Sequence, residues 1–207
     1  MINLPTKDKF GNSYLSYSQI STFLKSKEDY YKRYILKEPF VSNKYIDFGN
    51  KVGKALQEND YSLFMKREKE VLNKVTRLDI FERKTILNYD DFYIIGFIDT
   101  CSEDLTKIID YKTGGLKKEF DYVSEDYNQL VYYALSLRQE TGVNVNEASV
   151  EFIRRKGNAF RGEALTVADE EPIKIEIDLN ENRLKKVYYE TIKIAKEIEL
   201  FYVNKLT

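Results

Sequence analysis

Two aspartates and a lysine stand at a spacing that can do chemistry: Asp99, Asp110 and Lys112. Asp99 closes the run Ile94-Ile95-Gly96-Phe97-Ile98-Asp99, and the run Lys107-Ile108-Ile109-Asp110-Tyr111-Lys112 carries the other two. Both runs are rich in strand-forming residues, and the turn-forming stretch from Ser102 to Thr106 separates them, so the pair reads as an antiparallel hairpin. With the turn centred between Asp104 and Leu105, Asp99 lies across from Asp110. Directly opposed side chains share a face with Cβ atoms about 5 Å apart. Period-two alternation carries Lys112 onto the same face, while Ile98, Ile109 and Tyr111 point the other way, toward a core.

Two carboxylates held face to face repel each other unless something compensates them. A divalent cation does so, and it can also activate water and polarise a phosphodiester oxygen. Lys112 adds positive charge where negative charge develops, and can orient or deprotonate the attacking water. The competing reading is an ordinary ion cluster on a solvated sheet face, and an isolated Asp-x-Lys favours it. Three features shift the balance. The charges sit inside apolar runs, where an unpaired charge is costly. Gly96 weakens a strand unless something approaches it closely. Gln129 and Tyr133 lie four apart, on one face of the helix that follows, where they can orient the lysine or touch a phosphate.

Composition removes other chemistries. The chain has 207 residues, no histidine and one cysteine, Cys101. That excludes histidine-based catalysis, most zinc sites and cysteine-ligated iron–sulfur clusters. A catalytic metal must therefore sit on oxygen ligands, which favours Mg²⁺ or Mn²⁺. A net charge of −1 gives no global sign of a nucleic-acid partner, although a local basic surface suffices for one. No apolar run approaches the roughly 20 residues of a membrane span. Met1 to Asn12 is polar and carries no secretory signal pattern, so the expected location is the cytoplasm.

The elements that must position these groups can be read coarsely. A helical pattern opens at Ser16-Tyr17-Ser18, with Ser18 as a possible cap, and runs to Leu36. A second helix covers about Phe48 to Glu58 and a charged helical stretch follows from Asp60 to Lys74. Strands are expected at Ile80–Leu87, Phe92–Cys101 and Lys107–Lys112. A helix from Ser124 to about Thr141 follows, with Ser124 as N-cap and Glu125 and Asp126 in its first turn. Strands at Ala148–Arg155 and Glu171–Leu179 and a closing helix at Glu181–Asn204 complete an α/β fold, a small mixed sheet flanked by helices. The expected organisation is one domain over 1–207, with a helical part at about 16–75 and a core at about 78–180. Arg154, Arg155 and Lys156, with Arg161 nearby, form a basic turn that either contacts a DNA backbone or is a solvated hairpin tip.

Gly-Phe-Ile-Asp99, then Asp110-Tyr-Lys112-Thr-Gly, then Gln129-Leu-Val-Tyr-Tyr133 resembles the PD-(D/E)XK nuclease superfamily. It is most similar to the RecB-like exonuclease branch, which includes CRISPR adaptation nucleases and phage recombination nucleases. The resemblance implies a restriction-endonuclease-like core and metal ligation by Asp99, Asp110 and the main-chain carbonyl of Tyr111. It also implies catalytic roles for Lys112, Gln129 and Tyr133. The expected activity is Mg²⁺- or Mn²⁺-dependent DNA hydrolysis. The branch implies an exonuclease of recombination, repair or phage DNA processing, in a bacterial or phage-infected cell, working with a helicase, recombination or annealing protein.

Two departures stand out. The branch carries a metal-binding histidine on an early helix, and Gly53 stands there in Phe48-Gly49-Asn50-Lys51-Val52-Gly53. Water, Glu58 or Glu82 is left to fill that ligand position. The iron–sulfur cysteines of some relatives are absent, so no such cluster is expected. The missing histidine motivates a second expectation, a catalytically impaired nuclease fold that binds DNA or protein. A third, a metal phosphohydrolase acting on nucleotides, finds no nucleotide-binding loop.

Overall fold

The computed structural model describes residues 2–123 and 127–206. The chain opens with the short strand β1 (Tyr14–Ser16) and helix α1 (Tyr17–Lys25). The cap is Ser16 rather than Ser18. Ser16 accepts from the Gln19 amide and Gln19 Oε1 accepts from the Ser16 amide, a reciprocal box that Ser-x-x-Gln makes available. The expected single helix to Leu36 is broken at Ser26, whose backbone is extended. Ser26 caps the short α2 (Lys27–Tyr30), and a π-helical turn, Tyr31–Ile35, follows. Tyr30 is fully buried and packs on Phe23 and Tyr34, which makes it part of the core.

Helix α3 (Lys44–Glu58) begins four residues earlier than its apolar pattern suggests, because Asn43 caps the amides of Tyr45 and Ile46. Helix α4 (Lys66–Leu72) is shorter than the expected charged stretch. Strands β2 (Ile80–Asn88), β3 (Tyr93–Cys101) and β4 (Lys107–Gly114) follow as read from sequence. Helix α5 (Gln129–Thr141) starts at Gln129, and the expected cap Ser124 with Glu125 and Asp126 lies outside the described residues. Strand β5 (Glu147–Lys156), the two-residue β6 (Thr166–Val167), β7 (Ile173–Glu176) and helix α6 (Glu181–Leu206) complete the chain. Strands β1 and β6 have too few residues to show a period.

The seven strands form one mixed sheet ordered β1-β3-β4-β5-β6, with β2 on β3 and β7 on β5. Strands β4 and β5 run parallel, joined across one face by α5. Buried side chains gather in two clusters. The larger contains Ile98, Ile108, Leu130, Leu137 and Ile198, beneath α5 and α6. The smaller contains Phe48, Val52, Leu56 and Leu72, beneath α3 and α4.

The β3–β4 hairpin has the expected register, with Thr100 opposite Ile109 and Cys101 opposite Ile108, but its ladder stops there. Beyond Ile109, β4 pairs only with β5. Ile98 and Cys101 both reach the larger cluster although they are three apart, so the alternation of β3 resets at Asp99. Ile98 and Tyr111 therefore do not share the single core expected of them, since Tyr111 packs against the α3–α4 cluster. Across from Asp99, Glu82 is skipped in the β2–β3 register and holds a left-handed φ of 50°.

Gly96 shows what its strand position accommodates. A Cβ there would meet Tyr133 Cε1 at 2.4 Å. The ring is buried and cannot step aside without disturbing its neighbours. Gly96→Ala should therefore destabilise the protein by roughly 1–3 kcal/mol through overpacking, as measured by urea unfolding. Unchanged stability would mean that Tyr133 is free to move.

Candidate active site

The fork between β3 and β4 opens onto a cleft of about 1010 Å³ under α3. Asp99, Tyr111, Lys112, Glu82, Glu58 and Gly53 all line it. Five of the residues read from the sequence as one site thus meet around one concavity, although they come from β2, β3, β4 and α3, while Asp110, Gln129 and Tyr133 lie behind its wall.

Asp99 sits in the seam of the fork. Its Oδ2 accepts the Tyr111 amide at 2.7 Å, replacing the ladder bond that the splayed strands no longer make. Burial and the neighbouring Asp110 charge push its carboxyl up to about 7, against the opposing pull of Lys112 and the Tyr111 amide. Asp110 is completely buried, and both of its oxygens have partners, with one acceptor position of Oδ1 left over. Its Oδ2 lies 2.6 Å from Lys112 Nζ and 3.0 Å from the Tyr127 hydroxyl, and its Oδ1 accepts from Gln129 Nε2 at 2.8 Å. Gln129 Nε2 also donates to the Tyr133 hydroxyl at 2.8 Å. The Gln-x-x-x-Tyr pair and Gly96 are therefore one device. The glycine admits the tyrosine ring, the tyrosine holds the glutamine, and the glutamine holds Asp110.

Burial alone would pull the Lys112 ammonium down, but Asp110 and Asp99 outweigh it and drive its pKa well above the usual lysine range. Lys112 is thus a fixed cation and not a base in this state. Its side chain is about a quarter exposed and also lines a second cavity of about 760 Å³, walled by Tyr17, Tyr122, Tyr127 and Tyr132. Tyr127 was not legible in the sequence as a site residue. Burial and Asp110 hold its hydroxyl firmly protonated, so it remains a donor. Nothing in its spacing marks it, because Tyr127 lies outside any helix or strand, two residues before α5.

The remaining sequence expectations divide. Glu82 is exposed at the cleft, with backbone strain of the kind found at functional sites. Glu58 is also on the cleft wall and pairs loosely with Lys54 at 3.7 Å. A Cβ on Gly53 would meet nothing within 4 Å, so the helix face there has room for a side chain. Arg154 is held between Glu119 and Glu170, which occupies its charge. Arg155 instead lies 4.1 Å from the Tyr45 ring centre, and Lys156 is exposed.

The donor set suits a hard divalent cation. Every available ligand is an oxygen, and a like-charged pair raises Asp99 at the cleft wall. No group of three or more carboxylate, histidine or cysteine side chains stands ready-made around one point among the described residues. Main-chain oxygen and water would have to complete the shell.

Comparison with known proteins agrees with this architecture. The sequence profile of the PD-(D/E)XK nuclease superfamily matches residues 59–195. The matched span holds every site residue named above from β2 onward but begins after α3. A solved structure of a presumptive exonuclease from Eubacterium rectale superposes with a TM-score of 0.63 at 11% identity. The match covers 93% of this chain and 82% of that one. No curated protein matches in sequence.

The raised Asp99 gives a signed pH dependence for metal-free protein. The unfolded carboxyl releases its proton near pH 4, while the folded one keeps it to about 7. Between these values the folded state binds more protons, so stability falls as pH rises through that window. In EDTA, Asp99→Asn should remove this component. It should narrow the Tm difference between pH 5 and pH 8 by about 5 °C and be the more stable form at pH 8. Parallel Tm–pH curves for the two proteins would mean that Asp99 titrates normally.

Proposed function

The chain belongs to the PD-(D/E)XK nuclease superfamily, and from that premise we propose that it is a metal-dependent deoxyribonuclease acting in the cleft beneath α3. One observation carries the reading. At the fork a half-buried Asp99 on the cleft wall lies close enough to the fully buried Asp110 for their charges to interact, and Lys112 lines the cleft while pairing with Asp110. Such an arrangement is costly as mere structure and useful where phosphate and a cation must meet.

Nucleases of this superfamily generally use divalent metals such as Mg²⁺. In this chain Asp99, Asp110 and the Tyr111 carbonyl would hold Mg²⁺ or Mn²⁺, with Glu82 or Glu58 as a further ligand. Bound there, the ion would polarise the scissile phosphodiester and make the attacking water more acidic. Lys112, kept as an ammonium, would stabilise the charge growing on the phosphoryl oxygens. Gln129, Tyr133 and Tyr127 would fix the orientation of Asp110 and hence of Lys112. Arg155 and Lys156 would meet the DNA backbone, with Arg154 committed to its two glutamates.

The finer reading is an exonuclease of recombination, repair or phage DNA processing in the cytoplasm, acting with a helicase, recombination or annealing protein. The motif set supports it, because the branch it resembles acts from DNA ends. One observation favours a second reading, a fold that binds DNA or protein without cutting: α3 offers Gly53 where relatives have a ligand.

The deciding experiment compares linear duplex, linear single strand and closed circular DNA on one gel, with Mg²⁺ or Mn²⁺. Linear forms should be degraded while circles survive, and Asp110→Asn should reduce cleavage to background with its fold intact by circular dichroism. Rapid nicking of circles would make the enzyme an endonuclease. No cleavage of any form in either metal would favour the binding module.

The ligand gap at Gly53 gives a separate expectation. The open space there should accept Gly53→His, which should lower the Mn²⁺ concentration for half-maximal activity. Glu82→Gln should raise that concentration by about 10-fold or more if Glu82 is a ligand. A midpoint unmoved by Glu82→Gln and by Glu58→Gln would leave the position to water.

A further inference from the structure

An exposed phenylalanine stands beside the mouth of the cleft. Phe160 is 91% exposed, the most open of the large apolar side chains among the described residues. It sits on a short 3₁₀ turn, Ala159–Arg161, between β5 and β6. The turn is not a loose tip. Asn158 Oδ1 accepts the Phe160 amide at 3.0 Å, and the Tyr45 hydroxyl accepts the Ala159 amide at 3.1 Å and lies 3.3 Å from Asn158 Oδ1. Gly157 begins the turn at φ 90°, and a Cβ there would come within 2.0 Å of the Ala164 carbonyl oxygen. Sequence and hydrogen bonding thus spend specific residues on holding an apolar ring out in water.

Its surroundings identify what the ring is for. The Phe160 ring centre is 5.5 Å from that of Tyr45, and Tyr45 lines the catalytic cleft. Arg155 covers the Tyr45 ring, and Lys156 and Arg161 are exposed on the same turn. None of these three cations makes an ion pair among the described residues, whereas neighbouring Arg154 makes two. Asp47, on the opposite wall of the shallow hollow beside Phe160, is occupied by the Ser42 hydroxyl. An aromatic face flanked by unpaired cations, one ring away from a phosphodiester-cleaving cleft, matches a nucleotide: the base for the ring and the phosphates for the cations.

We propose that Phe160 is a base-stacking platform that receives an unpaired nucleotide of the DNA strand entering the cleft, so that the protein prefers single-stranded DNA or frayed ends to blunt duplex. The proposal rests on the nuclease reading and adds its substrate form. A paired base has its faces covered by its neighbours in the stack, while an unpaired one can lay a face on Phe160. Arg155, Lys156 and Arg161 hold the adjoining backbone without regard to sequence.

The chain contains no tryptophan, so Phe160→Trp installs a single indole emitter at the proposed contact. The probes are a (dT)20 oligonucleotide and a blunt, fully paired hairpin, titrated in EDTA to prevent cleavage. Indole emission from the Phe160→Trp variant should fall by about half on (dT)20 and change little on the hairpin, with wild-type affinity retained. Phe160→Ala should bind (dT)20 about tenfold more weakly and the hairpin equally well. Because Phe160 is exposed, neither change should disturb folding, which circular dichroism checks. Undiminished (dT)20 binding by Phe160→Ala, or unquenched emission from Phe160→Trp at saturation, overturns the platform while leaving the nuclease reading intact. If wild type forms dimers that Phe160→Ala dissociates, with DNA binding unchanged, the ring belongs to a contact between copies and the proposal fails. Failure of the wild type to bind either probe overturns the platform, while cleavage with Mg²⁺ or Mn²⁺ decides the nuclease reading separately.

Discussion

The structure is organised around one buried charge. Asp110 is removed completely from water in the middle of a sheet, a placement that costs several kcal/mol unless the carboxylate is paired and bonded. Each compensating group comes from a different place. Lys112 arrives by strand alternation, Gln129 from α5 and Tyr127 from the segment before it. The requirement reaches further, because Gln129 is held by Tyr133 and Tyr133 fits only because β3 has Gly96 beneath it. The crossover helix is thereby locked to the sheet by polar bonds as well as by the apolar contacts of Leu130 and Leu137.

The second constraint is the fork. A regular hairpin would leave Asp99 and Asp110 facing each other along a continuous ladder. Instead the ladder ends at Thr100 and Ile109, and the Asp99 side chain takes the Tyr111 amide. Glu82 opposite it leaves the register with a strained backbone. These departures are coupled in space: where β3 resets its alternation, the sheet parts and the cleft begins. An acidic group with a raised pKa, a fixed ammonium and a strained glutamate then share one wall. That clustering is expected of a site built for chemistry more than of one built for stability.

Helix α3 forms the opposite wall and is the least conventional part of the site. It is capped and well packed through Phe48, Val52 and Leu56, yet Gly53 leaves its cleft face open. The wall continues through Tyr45 to the β5–β6 turn, so the surface available to a substrate is longer than the carboxylate cluster alone. Among the described residues no helix is long and apolar enough to cross a membrane.

The sequence by itself determined the strands β2 to β5, the hairpin register, the crossover helix and the Asp-Asp-Lys set. These depend on local periodicity and on spacing within one supersecondary unit, which a linear pattern records. It also placed Gln129 and Tyr133 on one helix face and anticipated a close approach at Gly96, without naming Tyr133 as what approaches. Tertiary structure alone decided the rest. Tyr127 joins Asp110 from a position outside any helix or strand, where there is no period to read. The fork at Asp99 arises because β4 changes partners from β3 to β5, a choice between two neighbours that neither strand encodes alone. The strands β1 and β6 are too short to carry an alternation, and they exist only because a neighbouring edge offers hydrogen bonds. Arg154 and Arg155 are adjacent and chemically alike, yet one is neutralised by Glu119 and Glu170 and the other lies over Tyr45. Their difference lies in residues 16 to 110 positions away in sequence, and only folding brings those within reach.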